Sequence, residues 1–387
     1  MRYLLVLGSF FLFALPANSQ IVWKRLGNAT AASIYVHQYD SIYVASISSG
    51  ISSFDRDGEL LWNSMTNGHS LDGQRTVVVN DAGHILYGAS DGVWRSTDGG
   101  TKFYVSDAGM GVIGDDVQRL FRAKNNTIFA ASFGVWRSTN GGANWAQANN
   151  GIDHRGMEAL AMDSTGRVYA GSDGGAYRSS NNGGSWSKIY SAPIELLVRS
   201  IVAFNGTVVL GTNQGIIVSR DDGESWQPVT HELAKRHIRS LAYTFEGNLV
   251  IAATQGQGLI ASMDLQTWYP FMEEGTTTHF TQDVVIDGSN IFIAGVDGAY
   301  MSFLPMGVAE DDERIERPLA YPNPFNSTLA LDAGAAAVSQ LFIIDAMGRS
   351  MWQGTSATAQ VNTMQWPAGA YFLRSLDGRI VSSLIKQ

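Results

Sequence analysis

Four arginines and two carboxylates recur at corresponding places along this chain: Arg75, Arg119, Glu158, Arg199, Arg239 and Asp283, with Gln118 and Gln282 beside two of them. Arg199 and Arg239 hold equivalent positions one repeat apart, and His237 and His279 stand just ahead of two members of the set. The planar guanidinium fork matches a carboxylate or phosphate in a paired geometry. Brought together, such residues would grip a sugar carboxylate, a peptide or another anionic group; kept apart, they would only line a wet channel. Asp115-Asp116 and Glu273-Glu274 could supply further carboxylates, although adjacent acids in loops ordinarily face solvent. The seven histidines, at 37, 69, 84, 154, 231, 237 and 279, show no His-x-x-x-His spacing, and cysteine is absent. Neither a metal site nor a cofactor is therefore expected, and thiol chemistry and disulfides are excluded. Gly-rich loops occur without the strand–loop–helix context that cradles phosphate.

The elements that must position these side chains are repeats. Gly134-Val135-Trp136-Arg137-Ser138-Thr139-Asn140-Gly141-Gly142 with Trp145 recurs around Gly92, Gly175 and Gly215, and more weakly around Gly50, Gly258 and Gly298. A period of about 40 residues marks a repeat architecture. Ahead of each glycine runs a β-rich segment (42–45, 85–89, 128–132, 168–171, 208–212, 249–253 and 291–295), and before it another, such as 117–120, 198–202 or 238–242. Turn formers join the two: Asn125-Asn126, Ser164-Thr165-Gly166, Asn205-Gly206 and Glu246-Gly247. Each repeat thus predicts four short antiparallel strands, which cannot bury both faces alone. Seven of them predict an all-β, seven-bladed β-propeller over residues 20–304. The seventh repeat lacks a Trp-led fourth strand, whereas Ile21-Val22-Trp23-Lys24-Arg25-Leu26 resembles one. The N-terminal strand is expected to complete the last blade and cover an open edge.

Within the repeats, Ser96-x-Asp98-x-Gly100 with Phe103, Ser138-x-Asn140-x-Gly142 with Trp145, Ser179-x-Asn181-x-Gly183 with Trp186, and Ser219-x-Asp221-x-Gly223 with Trp226 form one pattern. Asp and Asn satisfy backbone N–H groups inside a turn and Gly takes positive φ. A fifth copy, Ser262-Met263-Asp264 with Trp268, is one residue short, and the first, near Asp55 and Gly58, is irregular. The pattern resembles the Asp-box repeat of bacterial neuraminidases, sortilin-type receptors, xyloglucan-cleaving hydrolases and a photosystem assembly factor. In that family the boxes are peripheral turns remote from any active site, so the resemblance implies a fold rather than an activity.

Composition bounds the rest. A net charge of −9 without a basic stripe argues against nucleic acid. Met1-Arg2, the apolar run from 3 to 15 and Ala17-Asn18-Ser19 predict a signal peptide over residues 1–19, with no transmembrane segment left after its cleavage. Residues 305–317 read as an acidic linker. Residues 318–387 predict a small C-terminal β-sandwich, with hairpin turns at Asp345-Ala346-Met347-Gly348-Arg349 and Asp377-Gly378. Tyr321-Pro322-Asn323-Pro324-Phe325-Asn326, Asp345-x-x-Gly348-Arg349, Pro367-Ala368-Gly369-Ala370-Tyr371-Phe372-Leu373-Arg374 and Ser383-Leu384-Ile385-Lys386 resemble the C-terminal sorting domain of the type IX secretion system, with Trp366 where the family has Leu or Ile. That resemblance implies the secretion machinery as a partner and a product released from the cell or held at its surface.

These readings favour a secreted or surface-displayed binding propeller with a glycan or protein ligand at its mouth. A glycoside hydrolase is the first alternative. However, the Arg-Ile-Pro motif of neuraminidases is absent, those enzymes have six blades, and xyloglucan-cleaving relatives pair two propellers across a cleft. The second alternative is a structural or assembly factor.

Overall fold

The computed structural model describes residues 23–303 apart from 28, 38–40, 48, 65–72, 112–113, 115, 245–248, 272–279 and 289, and also short stretches between 320 and 386. The signal peptide, the linker, His69, His279, Asp115, Glu273, Glu274 and the segment 322–327 lie outside the described residues. The chain divides into two units, Met1–Val308 and Ala309–Gln387.

In the first unit, seven four-stranded antiparallel sheets follow one another as blades. Their first strands are Ala31–His37, Thr76–Val79, Arg119–Arg122, Met157–Met162, Val198–Phe204, Ile238–Thr244 and Thr281–Asp287. Each packs against the next, and the seventh packs against the first, so the ring is closed. The second strands are short apolar runs buried on both faces, for example Ile128–Ser132 and Asn290–Gly295. Such strands need cover on each side, and neighbouring blades supply it. One hydrophobic cluster fills each of the seven junctions.

The glycine that leads each repeat opens the third strand. All seven have positive φ, from 68° at Gly258 to 142° at Gly298. A side chain is disfavoured there, which explains why the same residue returns at every period.

Beyond the third strand, a Ser hydroxyl and an Asx side chain knit the turn. Ser138 Oγ donates to Asn140 Oδ1 at 2.9 Å and accepts from Gly142 N at 2.8 Å, while Asn140 Oδ1 also accepts from Asn144 N at 3.0 Å. The same set forms at Ser96, Ser179 and Ser219. In the shortened copy, Leu265 N takes the glycine's place on Ser262 Oγ, with Leu265 at φ 60°. The indole N–H groups of Trp145, Trp186 and Trp226 donate to backbone carbonyls of the preceding blade, at Ser106, Ala148 and Ile189. Arg137, Arg178 and Arg220 reach the other way, to the carbonyls of Asn182, Asp222 and Asp264 in the following turn. Replacing Ser138 by alanine leaves a buried N–H unpaired. It should cost about 1–2 kcal/mol in urea denaturation; an unchanged midpoint would show that the turn holds itself.

Closure pairs two segments far apart in sequence. Lys24–Gly27 pairs antiparallel with Gly298–Phe303, Arg25 opposite Tyr300. Trp23 packs at the junction of blades six and seven, and Leu26 at that of seven and one.

The described residues of the second unit also form antiparallel strands. Ala320–Tyr321, Thr328–Asp332 and Thr358–Asn362 form one antiparallel sheet; Leu341–Asp345, Ser350–Gly354, Gly369–Ser375 and Ile380–Lys386 form another.

Candidate ligand site at the channel mouth

Antiparallel alternation puts the starts of the first strands, and the loops between second and third strands, at one end of the ring. The Ser-x-Asx turns lie at the other. At the mouth every blade carries the same irregularity. Arg75 N donates to Gly88 O and Gln118 N to Ala131 O, ahead of the pairs Thr76–Gly88 and Arg119–Ala131. The register shifts likewise between Met157 and Ala159, Val198 and Ser200, Ile238 and Ser240, and Thr281 and Asp283, as well as between Ala31 and Ser33. A bulge sets two residues against one and re-aims a side chain. It therefore separates two tiers: Ala32, Arg75, Gln118, Glu158, Arg199, Arg239 and Gln282 at the bulge, then Ser33, Thr76, Arg119, Ala159, Ser200, Ser240 and Asp283 one step along each strand.

The second tier ties blades together. Leu120 N donates to Thr76 Oγ1 at 3.0 Å and Leu241 N to Ser200 Oγ at 2.9 Å, each across one junction. In blade seven the hydroxyl is replaced by Asp283, which is fully buried. Its carboxylate accepts from Ile34 N at 3.2 Å, from Ser240 Oγ at 2.7 Å, and from Arg119 at 3.3 and 3.5 Å. Blades three and seven are not neighbours, so the Arg119–Asp283 pair spans the channel. The hydroxyls of this tier carry no charge and escape a search for chemistry; their signal is a Ser or Thr directly before a core aliphatic residue, at the repeat period.

The bulge tier falls into two groups. Arg75 pairs with Asp116, which also accepts from Gln118 Nε2 at 2.8 Å. Across the ring, Arg199 Nη1 meets Glu158 Oε2 at 3.1 Å. Arg239, in the next blade, has only an amide partner among the described residues, Gln255 Oε1 at 3.3 Å. Burial and the neighbouring Arg199 hold the Arg239 guanidinium below its usual pKa. His237 stands two residues before Arg239; burial first, then Arg239 and Arg199, push its imidazole down to about 4. The sequence-predicted residues are thus gathered as Arg75 with Gln118, Arg119 with Asp283, and Glu158 with Arg199, Arg239 and His237. Around them the rim is apolar. Ile47, Phe133 and Val296, in loops after second strands, and Ile194 and Phe280, ahead of first strands, are all exposed. Phe280 bridges to Gln255, and Arg155 lies over the Phe133 ring at 5.8 Å.

Among curated proteins, none matches this chain in sequence. Residues 319–387 match the family described as the secretion system C-terminal sorting domain. Solved structures match in fold. PorZ, a surface component of the type IX secretion system of Porphyromonas gingivalis, aligns at TM-score 0.58 and 15% identity over 93% of this chain and 60% of that one. The extracellular domain of a hybrid two-component system of B. thetaiotaomicron aligns at 0.61 and 14% over 95% and 48%. YCF48 solved with D1 peptide aligns at 0.58 and 16% over 74% and 96%. The chain therefore spans three fifths and about half of the first two proteins. No helix among the described residues is long and apolar enough to cross a membrane. A seven-bladed propeller carrying a type IX sorting domain at its C-terminus, this is a protein secreted from the cell or held at the outer-membrane surface.

Proposed function

We propose that the propeller is a binding module presented outside the cell, and that its mouth, on blades four to six, receives an anionic group of a glycan or protein ligand. The observation that carries this reading is Arg239: a half-buried guanidinium, next to a second arginine, whose side-chain partner among the described residues is an amide rather than a carboxylate. Binding is favoured over hydrolysis because Asp116, Glu158 and Asp283, carboxylates at the starts of first strands, are each held by an arginine. A glycosidase needs two that face the scissile bond. An assembly role is the second reading, supported by the fold shared with PorZ, a component of the secretion system, and with YCF48, solved with a peptide.

The Asp-box assignment of the Ser-x-Asx turns belongs to the same proposal, as scaffolding at the far end of the ring. The test is a screen of the secreted chain against acidic oligosaccharides and peptides. Arg199→Ala and Arg239→Ala should each abolish capture while changing stability by no more than about 0.5 kcal/mol. Capture that survives both changes, or a collapse of folding in either, defeats the reading.

A further inference from the structure

Three nitrogen atoms in the mouth are buried without a hydrogen-bond partner among the described residues: Arg199 Nε, Arg239 Nε and His237 Nε2. Buried polar atoms are nearly always paired, so three such orphans describe a place short of acceptors. The local charge is equally specific. Glu158 pairs with Arg199 and also attracts Arg239, so among the described residues two guanidinium groups share one carboxylate and one positive charge is in excess. A dianion would meet repulsion from Glu158, whereas a single carboxylate matches the guanidinium fork in both charge and shape. Resting on the anion-binding reading above, we infer that this well takes one carboxylate group of single negative charge, and that His237 completes its cradle by taking up a proton as the ligand binds.

The physical reason is the pair of guanidinium groups. Burial first, then Arg239, two residues on in the chain, and Arg199, from blade five, keep the His237 imidazole neutral; Glu158 pairs with Arg199, and Arg239 bonds the neutral Gln255 amide. A bound carboxylate cancels the excess charge, so the imidazolium becomes tolerable and donates to it. No covalent bond changes; one proton moves from solvent to the ring. By linkage, a ligand that raises proton affinity binds more tightly where protons are abundant. If the occupied site restores His237 from about 4 to the ordinary value near 6.5, affinity rises roughly tenfold between pH 7.5 and 5.5. Folding stability runs the opposite way. The unfolded chain protonates this histidine more readily, so its contribution falls as the pH drops below about 6.5 and levels off near 4.

The test is titration calorimetry on the full secreted chain at pH 7.5 and 5.5, in two buffers of different ionisation enthalpy. The probes are N-acetyl-alanyl-alanine for a peptide C-terminus and methyl glucuronide for a uronic acid, both singly charged throughout, with sulfate as the dianion. The expected result is roughly tenfold tighter binding of at least one carboxylate probe at pH 5.5, with uptake of close to one proton. His237→Gln should lose the pH effect, binding each carboxylate probe equally at pH 7.5 and 5.5. Binding that ignores pH overturns the role of His237 and leaves the anion site standing. Stronger binding of sulfate overturns the single-charge assignment, and no binding of any probe at either pH overturns both readings. The carboxylate probe that binds identifies the ligand's source.

Discussion

Gly298→Ala should cost at least about 3 kcal/mol in urea denaturation and release Trp23 to solvent, read as a red shift in tryptophan fluorescence. Gly298 opens the third strand of blade seven at φ 142°, and a Cβ there would stand 2.1 Å from Gly27 O. That oxygen belongs to the closing strand, paired through Gly27 and Ala299. Relief requires the strand to withdraw, uncovering Trp23 and Leu26 at two junctions at once. Losing buried side chains of that size costs about 2–5 kcal/mol each, and positive φ adds about 1–2 kcal/mol. Gly206→Ala is the control: φ is 78° there, and a Cβ would meet nothing within 4 Å. It should show the backbone cost alone, and equal losses in the two variants would remove closure from the explanation.

Asp283→Ala should lower stability by about 3 kcal/mol, and Arg119→Ala by clearly less. Removing the carboxylate strands Ile34 N and the Ser240 hydroxyl in a fully buried place, and leaves Arg119 without its partner. Breaking a buried pair from one side costs about 3–5 kcal/mol. The low end applies because the Arg119 side chain is 35% exposed and can turn to water. Thermal melts of both variants decide it. A loss below about 1 kcal/mol for Asp283→Ala would mean that the bar across the channel contributes nothing.

The ring could be read from the chain because its determinants are local and periodic. A glycine opens each third strand, a Ser-x-Asx-x-Gly turn follows in four repeats, and the missing fourth strand of blade seven had its counterpart at residues 24–27. The grouping of the mouth residues was less legible. Gln118 and Arg119, like Gln282 and Asp283, look interchangeable in a linear alignment, because a bulge sets two residues against one partner. Only the sheet register assigns the first of each pair to the bulge and the second to the inter-blade tier. The arginines of the third strands were equally opaque: Arg137 and Arg178 repeat plainly, yet each bonds a carbonyl in the following blade. A repeat considered alone holds no trace of its neighbour.

The joining of Lys24–Gly27 to Gly298–Phe303 also governs when this protein can be finished. Six blades are made of consecutive strands and can form in the order in which they are synthesised, but the seventh needs a strand that precedes the first blade. Contacts of such long range slow folding. The opening segment therefore finds its partner only once the last blade is made, so the ring locks at its final step.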